Sequence, residues 1–248
     1  MENVGESKSR NDEFKGKFTR EKLLHQILKN EQPKIFDIGA HHGESVVFLK
    51  KVFPDAIIYS FEPDPESYSI LSGSEIDGVL YFNLAFSDLD GETNFYRNKI
   101  SHTNSLLKVN KNSQDSIGIN RALNESDTKY FENFNHKISV KTLSIDSFLS
   151  VNPLDQIDLL KIDVQGAERL VLLGASNTLS KVKVIILEIS FYDYYEQQSS
   201  FLDVERIIAP FGFKLFSISE ISNNPMNGRT DWAEVVYINT NITNGNIQ

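Results

Sequence analysis

Two stretches of this chain carry residue types spaced for chemistry. In the first, KIFDIGAHHGESVVFLKKVFPDAIIYSFE from Lys34 to Glu62, Asp37, Gly39 and Gly43 share one turn and a second carboxylate, Glu62, closes the stretch. Glycines at such a turn let backbone and helix N-terminus approach a ligand, and a carboxylate ending the next strand accepts paired hydroxyls such as those of a ribose. In the second, Ile157 to Glu188, the cation Lys161 and the carboxylates Asp163 and Glu188 fall at or beside strand ends. Carboxylates so placed can bind a divalent cation, take a proton from a hydroxyl nucleophile or hydrogen-bond a polyhydroxylated substrate.

The spacing of the turn narrows the ligand. A dinucleotide fingerprint needs G-x-G-x-x-G, whose glycines let the chain wrap a pyrophosphate. Here the order is D-x-G-A-x-x-G, with Asp37 in place of the first glycine and the Gly39 to Gly43 interval one residue too long. An acidic residue there suits a cationic ligand. S-adenosylmethionine carries an ammonium and a sulfonium but no phosphate, so it is the cofactor expected, with Asp37 answering its amino-acid moiety directly or through water. Purely structural roles compete: Asp37 or Asp163 as a helix cap, Gly39 as a packing glycine, Lys161 as a simple ion-pair partner, and Glu62 as the lead into a helix that Pro63-Asp64-Pro65 starts with Asp64 as its cap. Joint placement on one edge of a parallel sheet favours a cofactor site.

The elements that must position these residues follow from periodicity. Ile35, Phe36 and Ile38 predict a strand, Ser45 to Phe53 a helix stopped by Pro54, and Ile57 to Phe61 a second buried strand. Asp64 to Leu71 reads as a helix, Val79 to Leu84 as a third strand, Gly91 to Arg97 as an extra strand and His136 to Leu143 as another. A short helix over Ser144 to Leu149, the strand Ile157 to Asp163, a helix ending near Gly174 and the strand Val182 to Ile189 continue the alternation. Phe201 to Ala209 reads as a helix, with strands at Lys214 to Ile218 and Trp232 to Asn239; Trp232 is expected in the core rather than on a ligand. A short amphipathic helix carrying Phe18, Leu23, Leu24, Ile27 and Leu28 is expected to cover a sheet edge. The fold class expected is α/β, a doubly wound sheet.

Composition sets outer limits. At 248 residues, 40% hydrophobic and 24% charged, the chain can bury the core of one α/β domain. A net charge of -9 argues against a duplex nucleic-acid partner and against an anionic membrane surface, and the absence of cysteine excludes disulfides and thiolate chemistry. The domain reading is a disordered leader at 1–17, a single domain at 18–240 with a polar insertion at about 98–135, and a tail at 241–248. The polar start has no apolar signal region and no apolar run spans a bilayer, so a cytoplasmic protein is expected. The insertion, with Ser101-His102-Thr103-Asn104-Ser105, is expected to face substrate.

The segments FDIGAHHGESVVFL, YSFEPDPESYSIL, NLAFSDLDGETNFY, VKTLSIDSFL and LLKIDVQGAERLVLLGA together resemble the FkbM family of S-adenosylmethionine-dependent methyltransferases over about Lys34 to Asn239. The string from Lys161 to Gly174 is the most specific. The resemblance implies a class I methyltransferase fold, a Rossmann-like seven-stranded sheet with one antiparallel strand, and methyl transfer most often to a hydroxyl oxygen of a sugar, glycan or secondary metabolite. It implies that Asp37, Gly39, Ala40 and Gly43 hold the methionine moiety, that Glu62 holds the ribose, and that Asn83 and Ala85 border the adenine. His41, Pro63 and Asp88 join this cofactor set by position. The chain departs from the family's usual Asn at His41 and its usual Glu at Gln165.

A hydroxyl acceptor must lose its proton as the methyl transfers, and Asp163 or His102 is the expected base, with Lys161 or Glu188 positioning the substrate. No metal ligand set is expected, although a divalent cation would be compatible with such an edge. The acceptor is a small molecule or a glycan, and the sequence does not define the oligomeric state. Two other readings stand beside this one: a NAD-dependent oxidoreductase on a sugar or alcohol, and a non-catalytic binding module of the same fold.

Overall fold

The computed structural model describes residues 12–14, 17–113, 116, 134–225 and 227–243. Most of the leader, the middle of the polar insertion and the end of the tail lie outside these residues.

A seven-stranded sheet forms the centre. It comprises β1 (Lys34–Ile38), β2 (Ile57–Phe61), β3 (Val79–Phe82), β7 (Ile157–Ile162), β8 (Val182–Ser190), β9 (Phe213–Asn223) and β10 (Thr230–Asn239). Their spatial order is β3-β2-β1-β7-β8-β10-β9, and β10 runs antiparallel to both of its neighbours while the remaining pairs are parallel. The expected sheet with one antiparallel strand is therefore present. β1, β7 and β8 are nearly continuous apolar runs because both of their faces are covered, the pattern of parallel strands inside an α/β protein.

The helices α1 (Arg20–Leu28), α2 (Glu44–Val52), α3 (Pro65–Ser72), α4 (Ile145–Val151), α5 (Glu168–Leu173) and α6 (Phe201–Ile208) supply that cover. One core joins α1 and α2 to Ile35, Leu159, Val184, Ile186, Val236 and Ile238. The opposite core joins α4, α5 and α6 to Phe36, Ile38, Leu160, Ile162 and Ile185. Alternate residues of each strand thus feed opposite layers, as the period of a strand demands. α1, expected over a sheet edge, instead packs with α2 on a sheet face, because Leu24, Ile27 and Leu28 are buried in that first core.

The third strand, expected over Val79 to Leu84, ends at Phe82. Val79–Phe82 stays in the main sheet, whereas β4 (Ala85–Phe86) pairs with β6 (His136–Leu143), which also pairs with β5 (Gly91–Arg97) in a separate three-stranded sheet. The Asn83 side chain marks the departure, its amide donating to the carbonyls of Glu62 at 2.9 Å and Pro63 at 3.0 Å. Arg97 ties the small sheet back by bonding Asp64, the N-cap of α3, and Glu66. The ninth strand is also longer than expected, running through Glu220 despite that residue's φ of 43°.

Strand order reverses between β1 and β7, where connections leave for opposite sides. Such a switch point opens a crevice at the carboxyl ends of the strands.

Candidate active site

At that crevice the turn after β1 is fastened to β2. The backbone N–H groups of Gly39 and Ala40 both donate to the Phe61 carbonyl at 3.0 Å. Gly39 has φ +80°, and a Cβ there would lie 1.8 Å from the Asp163 carbonyl oxygen, so only glycine lets β1 and β7 meet this closely. Gly43, at φ +97°, is the N-cap of α2. Between them the His41 N–H donates to Glu62 Oε2 at 2.9 Å, and the Asp64 N–H donates to Oε1 at 2.8 Å. Glu62 is 5% exposed, and burial pushes its carboxyl up to about 7 against the opposing pull of those two N–H groups. Asp64 is the helix cap at this place, which leaves the Glu62 side chain turned to the crevice.

Asp37 is fully buried. Its Oδ2 accepts from Ser45 Oγ at 2.5 Å, and Lys161 Nζ stands 3.2 Å from Oδ1. The Lys161 contact is a buried ion pair. Lys161 also lies 3.7 Å from Asp163 Oδ2. Burial works against its ammonium, but Asp37 and Asp163 outweigh that and hold Lys161 above its ordinary value. Asp163 caps no helix: its Oδ1 accepts from the Gln165 side chain at 2.9 Å.

Register explains why these groups converge. Asp37 pairs with Lys161, Lys161 with Ile186, and Glu188 with Glu234, so all lie on the α1 and α2 face, just beyond its apolar rows. Lys161, Ile186, Glu188 and Glu234 floor a cavity of about 400 Å³ lined also by Gly39, Ala40, His41, Glu62, Pro63 and Ala85, with Asp37 behind them. Leu84, Phe86, Phe95 and Val164 give it an apolar wall. Burial first, then the carboxylates of Asp163 and Glu168, push Glu188 up to about 8.

The described part of the polar insertion closes one side. Ser101, His102, Asn104 and Leu106 line the cavity. The Tyr195 hydroxyl donates to the Thr103 carbonyl at 3.0 Å, Asn104 donates to Asp64 at 3.0 Å, and Ser101 Oγ is 2.9 Å from His41 Nε2. The His41 ring stacks on His42 at 3.7 Å and lies 4.6 Å from His102; burial, then His42, lowers its pKa.

Most of the sequence-derived residues therefore meet in one place. Asp37 and Gly43 stand behind the lining, Asn83 acts as a latch beneath Glu62 and Pro63, and Asp88 accepts from Ser87 away from the cavity. Trp232 corrects an expectation: it is half-buried on the cavity wall and belongs to neither large core. Arg20, Glu220 and Glu234 line the same end and were not singled out from the sequence. The signal for Trp232 and Glu234 is parity, since both share the face of Val236 and Ile238 along β10.

Three carboxyls, two of them on the cavity, couple stability to pH. Glu62 and Glu168 are raised to about 7 and Glu188 to about 8, all from 4.5, and burial leads the causes in each. A raised carboxyl stabilises the fold below its unfolded value and loses that contribution as pH climbs through the folded one. The Tm of the ligand-free protein is expected to fall between about pH 5 and pH 8, and thermal melts at fixed ionic strength across that window measure it.

The doubly wound sheet with one antiparallel strand, the fastened glycine turn and the carboxylate-rich cavity at the switch point are those of the class I methyltransferase fold. A model of the Methyltransferase FkbM domain matches residues 37–215. The 2-O-methyltransferase NoeI of Sinorhizobium fredii is 31% identical over 174 residues, 69% of each chain. Methyltransferase sdnD of Sordaria araneosa is 30% identical over 57% of this chain and 60% of its own length. Among solved structures, methyltransferase FkbM from Methylobacillus flagellatus superposes with a TM-score of 0.50 at 16% identity, covering 84% of this chain and 44% of that one. The chain belongs to the FkbM methyltransferase family.

Proposed function

We propose that this protein transfers a methyl group from S-adenosylmethionine to a hydroxyl oxygen of a small-molecule or glycan acceptor. The observation that carries this reading is the charge of the cavity. Glu44, Glu62, Asp163, Glu188, Glu220 and Glu234 line it; burial leaves Glu188 largely and Glu62 partly protonated near pH 7, but its two cations, Arg20 and Lys161, are each already held by two carboxylates, so the lining stays acidic. Such a lining repels a pyrophosphate and accepts an ammonium and a sulfonium. This disfavours a nicotinamide dinucleotide. The name of the 2-O-methyltransferase relative points the same way for the acceptor atom.

The cofactor fits the residues present. Glu62 holds both oxygens in place with backbone N–H groups and keeps lone pairs for two ribose hydroxyls. Buried Asp37, paired with Lys161 through Oδ1 and with Ser45 through Oδ2, stands behind the turn from Gly39 through Ala40 and His41 to Gly43 and answers an ammonium there electrostatically or through water. Pro63 and Ala85 border the nucleoside, and Asn83 positions the Glu62 and Pro63 carbonyls. When bound, S-adenosylmethionine supplies an electrophilic methyl on sulfur. The chain's own work is to align a hydroxyl with that methyl, exclude water and take the hydroxyl proton. Asp163, on the cavity wall with its side chain 36% exposed, takes the proton at its carboxylate, while Lys161 balances its charge and Glu188 orients the acceptor. His102 lines the mouth of the same cavity on the insertion side.

Calorimetry with S-adenosylhomocysteine and with NAD, followed by a labelled-methyl assay across glycans and small alcohols, tests this function. Binding of NAD and none of S-adenosylhomocysteine would overturn it. Because ribose hydroxyls donate to an ionised Glu62, affinity for S-adenosylhomocysteine is expected to rise as pH passes from 6 to 8; a flat profile removes Glu62 from the ribose site.

A further inference from the structure

The cavity is longer than its cofactor half. Glu62 follows β2, whereas Trp232 is on β10, four strand steps away through β1, β7 and β8. At about 4.8 Å per step that is roughly 19 Å along the sheet edge. The two halves also differ in origin. The residues assigned to the cofactor lie within 37–215, the stretch that matches the family's domain, but Arg20, Glu220, Trp232 and Glu234 lie outside it. The far end is built by this chain's own α1, β9 and β10.

Its chemistry is specific. Arg20 lies over the Phe48 ring at 4.8 Å and bonds Glu220 at 3.0 Å and Glu234 at 2.5 Å, which fixes its guanidinium. Its Nε–H is buried and has no acceptor among the described residues. That atom is out of a ligand's reach, but Nη1 and Nη2 each keep a second N–H; a further anion there would face Glu220 and Glu234, whereas an uncharged hydroxyl or ether oxygen can accept from them without the conflict. Trp232 offers an indole on the same wall, and indole faces bind flat, weakly polar ring surfaces.

We infer that Arg20 and Trp232 form the acceptor subsite and select an uncharged, oxygen-rich ring such as a neutral pyranoside. The inference rests on the methyl-transfer reading and names the residues that choose the acceptor.

Trp232 is the chain's single tryptophan, so its emission reports directly on this end of the cavity. The full chain, saturated with S-adenosylhomocysteine, is titrated with neutral methyl pyranosides and, in parallel, with methyl glucuronide. A saturable change in Trp232 emission with a neutral pyranoside is expected, weakened about tenfold in Arg20→Gln. In the labelled-methyl assay with that pyranoside, Trp232→Leu is expected to raise KM about tenfold, and Trp232→Phe to recover most of the loss. Calorimetric affinity for S-adenosylhomocysteine stays within about twofold in all three variants, which separates acceptor selection from general damage to the fold. Unchanged KM in Trp232→Leu, an unresponsive Trp232 in protein that binds S-adenosylhomocysteine, or preference for the glucuronide each overturns this inference alone. Failure to bind S-adenosylhomocysteine removes the methyl-transfer reading and the subsite with it.

Discussion

Asp163→Ala is expected to lower methyl transfer about 10²–10⁴-fold, the range over which a positioned general base contributes. Affinity for S-adenosylhomocysteine should change little. The expectation follows from what Asp163 touches. Its carboxylate is on the cavity wall at the carboxyl end of β7, held by the Gln165 amide at 2.9 Å and balanced by Lys161 at 3.7 Å. It supports no helix cap, so its removal costs the fold only the side-chain hydrogen bond from Gln165. Lys161 keeps its second partner, Asp37, at 3.2 Å and is not left as an uncompensated buried charge. Asp163→Asn keeps the shape and removes only the basic oxygen, so it should lose turnover to a similar degree. Normal turnover in both variants would take the base role from Asp163, and His102→Ala would then be the informative change.

Gly39→Ala is expected to destabilise the protein by roughly 2–6 kcal/mol, combining a strained backbone with an overpacked contact. A Cβ at this position would meet the Asp163 carbonyl oxygen at 1.8 Å and its carbon at 2.8 Å, and both are backbone atoms of the adjoining strand connection. No side-chain rotation relieves such a clash. The turn must move away from Phe61 or β1 must part from β7, and either motion displaces Asp37, Glu62 and Asp163 together. Loss of S-adenosylhomocysteine binding should therefore accompany the fall in Tm. Gly228→Ala is the control: φ there is +75°, but nothing lies within 4 Å of the added Cβ, so it reports backbone strain without a clash. If the two variants melt alike, the close approach of Gly39 to Asp163 is not what demands glycine.

The local elements that carry the proposed cofactor half were legible without the structure. The apolar run ending in Asp37, the helix after Gly43, the strand Ile57–Phe61 and the Asp64 cap depend on periodicity and capping within a few residues, which the chain states directly. Glu62 and Asp163 were legible because parallel strands alternating with helices place every strand's carboxyl end on one edge. The end of the third strand at Phe82, two residues short of the Leu84 expected, was not, because only the bonds of Asn83 to the distant Glu62 and Pro63 carbonyls show where the chain changes sheets.

What the sequence by itself determined was the class of fold and the gathering of Gly39, Glu62 and Asp163 at the carboxyl ends of β1, β2 and β7. The tertiary structure alone decided the other end, where α1 brings Arg20 to Glu220 and Glu234, partners 200 and 214 residues away. It also decided that Trp232 faces the cavity. Antiparallel insertion of β10 between β8 and β9 sets which of its faces meets α1 and α2, and a one-residue change of register would turn Trp232 and Glu234 to the opposite layer. Long-range pairing of that kind leaves no local mark in the chain.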